Sequence, residues 1–173
     1  KKKNYLDLND FLNIILYEKD LGFYNNLNKS ENELIGSKGH FITSPEISQL
    51  FGELIGIWIL NVCDKLGFNA INLLELGPGK GSLMNDILRI LKNSKNKIQI
   101  NLHLLEVSEK LKKFQKQKLN KFNIPKIWYD DIFKIKNNLS KKPVVIISNE
   151  FFDCFPIRQY KYNKVKNDFT KVV

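Results

Sequence analysis

The stretch Asn72-Leu73-Leu74-Glu75-Leu76-Gly77-Pro78-Gly79-Lys80-Gly81-Ser82-Leu83-Met84 decides how this chain folds. Its first five residues form a mostly apolar run of strand length that ends on Glu75-Leu76. Three glycines then alternate as Gly77-x-Gly79-x-Gly81, before a helix-forming segment begins at Ser82. Glycines allow a tight turn and a close backbone approach to a ligand, and the helix N-terminus that follows offers N–H groups with no intrahelical partner. The spacing reads as strand, ligand-holding loop, helix; a glycine turn with a purely structural purpose is the alternative.

Downstream of this motif the same alternation repeats. Helix-forming sequence over 82–91 leads to a nearly continuous apolar strand over 98–105, then to a Lys-rich helix over 108–122. Strands are expected at 127–129 and at 143–148, the latter apolar on both faces. Strands that alternate with helices in this way predict an α/β fold built on a parallel sheet. After Pro156 the alternating segment 157–162 reads as the start of a fifth strand or a hairpin. The sheet reads as unfinished, so the chain is expected to be the N-terminal part of a longer protein.

Upstream lies a helical extension, and the expected division is 1–69 for that extension and 70–173 for the first part of the α/β domain, its C-terminal remainder absent. A short helix is expected over 10–18 with Asp10 as its N-cap, followed by a mobile loop over 25–39. A longer helix is capped by Ser44, with Pro45 at its first position and Glu46 facing the positive end of the macrodipole. Ile47, Leu50, Phe51, Leu54, Ile55, Trp58, Ile59 and Val62 give it one continuous apolar stripe. Gly52 and Gly56 would let another backbone approach it closely.

Glu106 ends the second strand, 25 residues beyond Gly81. A carboxylate at that distance accepts from both hydroxyls of a ribose, which makes this a nucleoside site. Dinucleotide sites show G-x-G-x-x-G, whereas Glu75 with Gly77-x-Gly79-x-Gly81 has the form of S-adenosylmethionine sites. Asp130 and Asp131 follow strand three, where Asp131 could accept from an adenine amino group or cap the next helix. Strand four runs into Asn149-Glu150-Phe151-Phe152-Asp153-Cys154-Phe155-Pro156. Two carboxylates three residues apart, flanked by phenylalanines, suit a guanidinium: they can orient its nitrogen and take its proton. The alternative there is an aromatic core with capping acids.

The 173 residues, 43% of them hydrophobic, suffice for one sizeable core, and no apolar run reaches the length of a membrane span. The net charge of +10 comes mostly from dispersed lysines, with arginine only at Arg89 and Arg158, so a nucleic-acid partner and RNA methylation are disfavoured. The six lysines from Lys110 to Lys121 read as a solvated helix face. Cys63 and Cys154 provide no disulfide framework and no metal-ligand spacing, which fits a reducing compartment. His103 reads as a buried, hydrogen-bonded imidazole, His40 as a weak pocket candidate, and Trp58 and Trp128 as core.

The sequence closely resembles the MidA family of methyltransferases, whose mitochondrial members assemble respiratory complex I. Three segments carry the resemblance: the sixteen-residue run from Phe41 to Gly56, the run Glu75 to Met84, and the run Asn149 to Gln159. Shorter echoes are His103-Leu104-Leu105-Glu106 and Trp128-Tyr129-Asp130-Asp131. The resemblance implies a seven-stranded Rossmann-like methyltransferase fold that uses S-adenosylmethionine to methylate a protein arginine, with a complex I subunit as substrate and a homodimer as a further expectation. The resemblance puts Gly77, Gly79, Gly81 and Glu106 at the cofactor; the full cofactor-binding set expected is Glu75, Gly77, Pro78, Gly79, Gly81, Glu106, Asp131 and Asn149. Thr43, Ser44, Pro45, Glu46 and Phe151 would bind substrate, with Glu150 and Asp153 catalytic. Its compartment would be cytoplasmic in a bacterium and the mitochondrial matrix in a eukaryote. His40 stands where the family has Asp, and Lys80 and Ser82 replace Arg and Thr. A non-catalytic assembly factor on the same fold is the competing expectation.

Overall fold

The computed structural model describes residues 6–20, 22–23, 43–95 and 97–172; the loop expected over 25–39 and His40 lie outside them. These residues fall into two compact units, one combining Lys1–Asn32 with Glu150–Val173 and the other formed by Glu33–Asn149.

In the larger unit, α2 (Ser44–Ile47) and α3 (Gln49–Lys65) precede β1 (Ala70–Leu76), α4 (Ser82–Asn93), β2 (Gln99–Leu105), α5 (Glu109–Leu119), β3 (Lys126–Tyr129), α6 (Phe133–Lys136) and β4 (Val144–Ser148). The four strands form one parallel sheet in the order β3-β2-β1-β4. The expected α/β architecture is therefore present. β1 lies at the centre because it can pair on both sides, with Leu73 against Leu102 and against Val145. Ile71, Leu73, Leu102 and Leu104 are fully buried and meet Met84, Ile87 and Leu88 of α4 in the core.

The expected helix from Ser44 is two helices. Thr43 stands at the N-cap of α2, and the backbone turns extended at Ser48, whose hydroxyl accepts from the Leu50 N–H at 3.2 Å to start α3. Its apolar stripe also divides. Gly52, Gly56, Ile59 and Cys63 form the buried face, while Leu50, Leu54 and Trp58 are exposed, so Trp58 is not core. The two glycines explain the division. A Cβ on Gly52 would come within 2.7 Å of Asp86 Cβ, and one on Gly56 within 2.9 Å of Ile90 Cβ, so α3 and α4 meet at backbone distance along the glycine side. Glu53 reinforces the seam by accepting from Arg89 at 2.6 Å.

β4 differs from its expected double burial: Val145 and Ile147 are partly covered, but Ile146 on the opposite face is 61% exposed. Among the described residues it is the edge of this sheet, with β1 as its one neighbour.

The smaller unit contains α1 (Leu8–Tyr17), a 3-10 turn (Phe152–Cys154) and the antiparallel hairpin β5 (Tyr160–Asn163) and β6 (Asp168–Lys171). Asp7, rather than Asp10, caps α1 by accepting from the Asp10 N–H at 2.9 Å, and it also takes Lys171 of β6 at 2.6 Å. Tyr17 of α1 donates to the Cys154 carbonyl at 2.6 Å. No helix among the described residues is long and apolar enough to cross a membrane.

Candidate active site

The glycine loop runs from the carboxyl end of β1 to the N-terminus of α4. Gly77, Gly79 and Gly81 all have positive φ, at 64°, 53° and 75°. Side chains rarely tolerate that region, so the alternation is required by the backbone path. The loop is tied at both ends: the Gly77 N–H donates to the Leu105 carbonyl of β2 at 3.0 Å, and the Gly81 N–H to the Pro78 carbonyl at 2.7 Å. Pro78 is buried beneath it and Gly77 is exposed.

Two carboxyls stand at this end of the sheet. Glu75, the penultimate residue of β1, is 3% exposed, and its Oε2 has no hydrogen-bond partner among the described residues. Burial, with Glu106 nearby, pushes its carboxyl up to about 8, so it is neutral at pH 7. Glu106 directly follows β2, and its N–H continues the ladder by donating to the Tyr129 carbonyl at 2.9 Å. Burial raises its carboxyl too, while the Ser108 N–H, the Gln115 amide, the Val107 N–H and Lys112 pull it back. Ser108 N–H reaches its Oε1 at 2.8 Å and Gln115 Nε2 its Oε2 at 3.2 Å. A carboxylate held this way keeps lone pairs for two further hydroxyls, and the unpartnered Oε2 of Glu75 wants one more polar neighbour.

The other expected residues divide. Glu46 of α2 accepts from the Ser82 hydroxyl at the start of α4, and Lys118 of α5 donates to the same hydroxyl at 2.6 Å. Glu46 thereby joins three elements beside the loop; Thr43 and Pro45 are half-buried near it in sequence and Ser44 is exposed. Asp131 accepts from the Phe133 N–H at 2.9 Å, and Asp130 pairs with Lys134 at 2.7 Å, so both acids engage the first turn of α6, whose N-cap is Ile132. Asn149 is half-buried just beyond β4.

In the smaller unit, Glu150 and Asp153 are both exposed on the turn beginning that segment. Glu150 has φ 49°, a conformation a non-glycine residue holds only at a cost of about 1–3 kcal/mol. Phe151 meets Phe152 and Phe155 edge-on, with ring centroids 5.5 and 4.9 Å apart. Phe152 and Phe155 are exposed, so they are not the core that the bland alternative required.

Gln115 was not expected. It lies among lysines on α5, but Leu111, Gln115 and Leu119 recur every four residues on the inward stripe. A polar residue on such a stripe signals a buried partner, and Gln115 has three: Gly79, Glu106 and Trp128. His103 is buried as expected, 2.8 Å from the Tyr129 hydroxyl and 3.3 Å from Asn72 Oδ1.

Residues 54–172 match a family described as "Putative S-adenosyl-L-methionine-dependent methyltransferase". Similar curated proteins are Protein arginine methyltransferase NDUFAF7, mitochondrial, of Xenopus laevis, 33% identical over the whole of this chain and 43% of that protein, and its Homo sapiens counterpart, 37% identical over 75% and 34% respectively. The chain thus spans less than half the length of these relatives. Among solved structures, a Burkholderia thailandensis protein bound to S-adenosyl-homocysteine superposes with a TM-score of 0.67 at 18% identity, over 96% of this chain and 45% of that one. That likeness is one of fold.

Proposed function

This chain belongs to the family of S-adenosyl-L-methionine-dependent methyltransferases, and from that membership we propose that the protein transfers a methyl group to the guanidinium of a protein arginine. One observation carries the cofactor half of the reading: the buried Glu106 carboxylate is joined through Gln115 to a loop of three left-handed glycines. The residues present fit an adenosyl ligand, because Glu75 Oε2 has no partner among the described residues and every glycine in the loop is conformationally required. Gly77, Pro78, Gly79 and Gly81 supply the backbone cradle, Glu106 accepts from the ribose hydroxyls, and Glu75, Asn149 and Asp131 complete the set. When bound, S-adenosylmethionine supplies a methyl group on a positively charged sulfur.

The acceptor half rests on the names of the relatives and on the Glu150–Pro156 segment. In this reading Glu150 and Asp153 hold a guanidinium by charge-assisted hydrogen bonds, leave one nitrogen free to attack, and take the proton it loses. The exposed phenylalanines offer their faces to the cation. Thr43, Ser44, Pro45 and Glu46 in the larger unit, and Phe151 in the smaller one, are each read as binding the protein substrate. We extend the reading to a respiratory complex I subunit as acceptor, to a mitochondrial site of action and to a homodimer; the first two follow the resemblance and the relatives' names.

The test is transfer of isotope-labelled methyl from S-adenosylmethionine by the full-length protein onto arginine-bearing substrate protein, followed by amino-acid analysis. Label in methylarginine, strongly reduced by Glu150→Gln, is expected. Cofactor binding with no transfer to any protein acceptor would instead select the non-catalytic assembly factor.

A further inference from the structure

We infer that Gln115 is a positioning residue, one side-chain amide that fixes the glycine loop and the ribose-accepting carboxylate in a single relation. The inference rests on the reading of this site as nucleoside-binding and adds a residue to it.

Gln115 is fully buried. Its Nε2 donates to the Gly79 carbonyl at 2.7 Å and to Glu106 Oε2 at 3.2 Å, and its Oε1 accepts from the Trp128 indole N–H at 2.8 Å. The identity of each atom follows from its neighbours. An indole N–H only donates, so the amide oxygen must face Trp128. The amide nitrogen must then face two groups that only accept, a carbonyl and a carboxylate. All three contacts agree on one orientation, which a flipped amide would break at every point.

Each contact has a consequence for the ligand. Held by its carbonyl, the Gly79–Lys80 peptide has its orientation set, and because a trans peptide directs its C=O and N–H oppositely, the Lys80 N–H is turned away from Gln115. Held through Oε2 as well as Oε1, the Glu106 carboxylate cannot rotate about its last bond without losing a donor. The Gln115 stem also lies directly under the loop: a Cβ at Gly81 would come 3.3 Å from its Cγ. Gln115 thus links β3, through Trp128, to the loop after β1 and the residue after β2.

A positioning role and a merely structural one differ in their pH dependence. Glu106 must be ionised to accept two hydroxyls, and burial opposes that, while the Gln115 donor favours it. The other groups facing Glu106 are Glu75 of β1, Lys112 of α5 and the backbone N–H groups of Val107 and Ser108. None of these is removed by a change at residue 115. Losing the amide therefore makes Glu106 take up its proton at higher pH.

The experiment is calorimetric titration of S-adenosylhomocysteine and its 2′,3′-dideoxyribose analogue into full-length wild type, Gln115→Leu and Trp128→Phe, from pH 5 to 8. Wild type is expected to prefer the ribose ligand, with that preference falling in acid. In Gln115→Leu the preference shrinks roughly 10- to 100-fold, the worth of one hydrogen bond to a charged group, and its acid fall moves to higher pH. Trp128→Phe keeps an aromatic six-membered ring but loses the indole N–H that orients the amide together with the five-membered ring around it, and gives a smaller change in the same direction; it also serves if Gln115→Leu does not fold. Equal weakening of both ligands, with an unmoved pH profile, would reduce Gln115 to a packing residue and overturn the inference while leaving the site intact. No binding of either ligand by folded wild type overturns the nucleoside reading and this inference with it.

Discussion

The glycine-loop end of the sheet and the Glu150–Pro156 segment carry the two halves of the proposed chemistry and are built in opposite ways. At the loop, specificity resides in backbone: three left-handed glycines, a buried carboxylate held from both oxygens, and a second carboxyl with one orphaned oxygen. In the other segment the acids are exposed side chains, two of the three phenylalanines are exposed, and Glu150 carries a strained backbone. The difference suits the two ligands. A cofactor of fixed shape rewards a site formed in advance, whereas a side chain delivered by another protein is met by groups that remain reachable.

Substitutions that respect this contrast should separate the two halves. The largest effect is expected for Gly79→Val, because a β-branched residue at φ 53° must rebuild the loop. Cofactor affinity should fall by roughly 100-fold or more, given a cost of about 3 kcal/mol, and methyl transfer with it; unchanged binding would remove the loop from the site. Glu150→Gln should do the reverse. Single-turnover methyl transfer is expected to fall by about 10²–10⁴-fold, the usual worth of a proton-accepting group, while S-adenosylhomocysteine affinity stays within about twofold. Retained transfer would return Glu150 to a structural turn.

A third prediction concerns the pH dependence that the pre-formed site carries. Glu75 keeps its proton in the folded state up to about 8, whereas an unfolded glutamate loses it near its ordinary value of about 4.5. In the absence of ligand, stability therefore declines as pH rises through that window. Glu75→Gln should remove most of the decline, which corresponds to a few kcal/mol or roughly 5–10 °C in melting temperature at pH 8.5. Parallel melting curves for the two proteins from pH 5 to 8.5 would contradict this account of Glu75.

The smallest effect is expected on the acid side. Burial holds the His103 imidazole below its usual range, so the unfolded state takes up a proton first as pH falls below about 6.5. Stability should drop through that window until the folded imidazole also charges. His103→Gln, at a generally lower stability, should flatten this portion of the curve in denaturant titrations.

Much of this was legible in the sequence because it followed from local rules. Alternating glycines between an apolar run and a helix gave the β1–α4 junction, and the parallel sheet followed from the repeated strand–helix order. The place of Glu106, directly after β2 and linked to the loop through Gln115, follows from where the apolar strand stops. What escaped depended on tertiary contacts. The stripe of α3 looked continuous, yet Gly52 and Gly56 mark its buried side, because close approach of α4 needs the absence of side chains. β4 looked doubly buried by its apolar content, yet Ile146 is exposed because burial depends on what lies across the sheet. Gln115 was hidden by its lysine neighbours, since charge along a helix draws attention to the solvated face rather than to the polar residue on the other.

The proposed adenosyl site is pre-formed and anchored by Glu106. Its most direct test is calorimetric titration of S-adenosylmethionine into the full-length protein beside Glu106→Ala. The account predicts saturable one-site binding by wild type, weakened at least about 100-fold in the variant through loss of two charge-assisted hydrogen bonds, with the fold intact by circular dichroism. Equal affinity in the two proteins, or no binding by folded wild type, would contradict it.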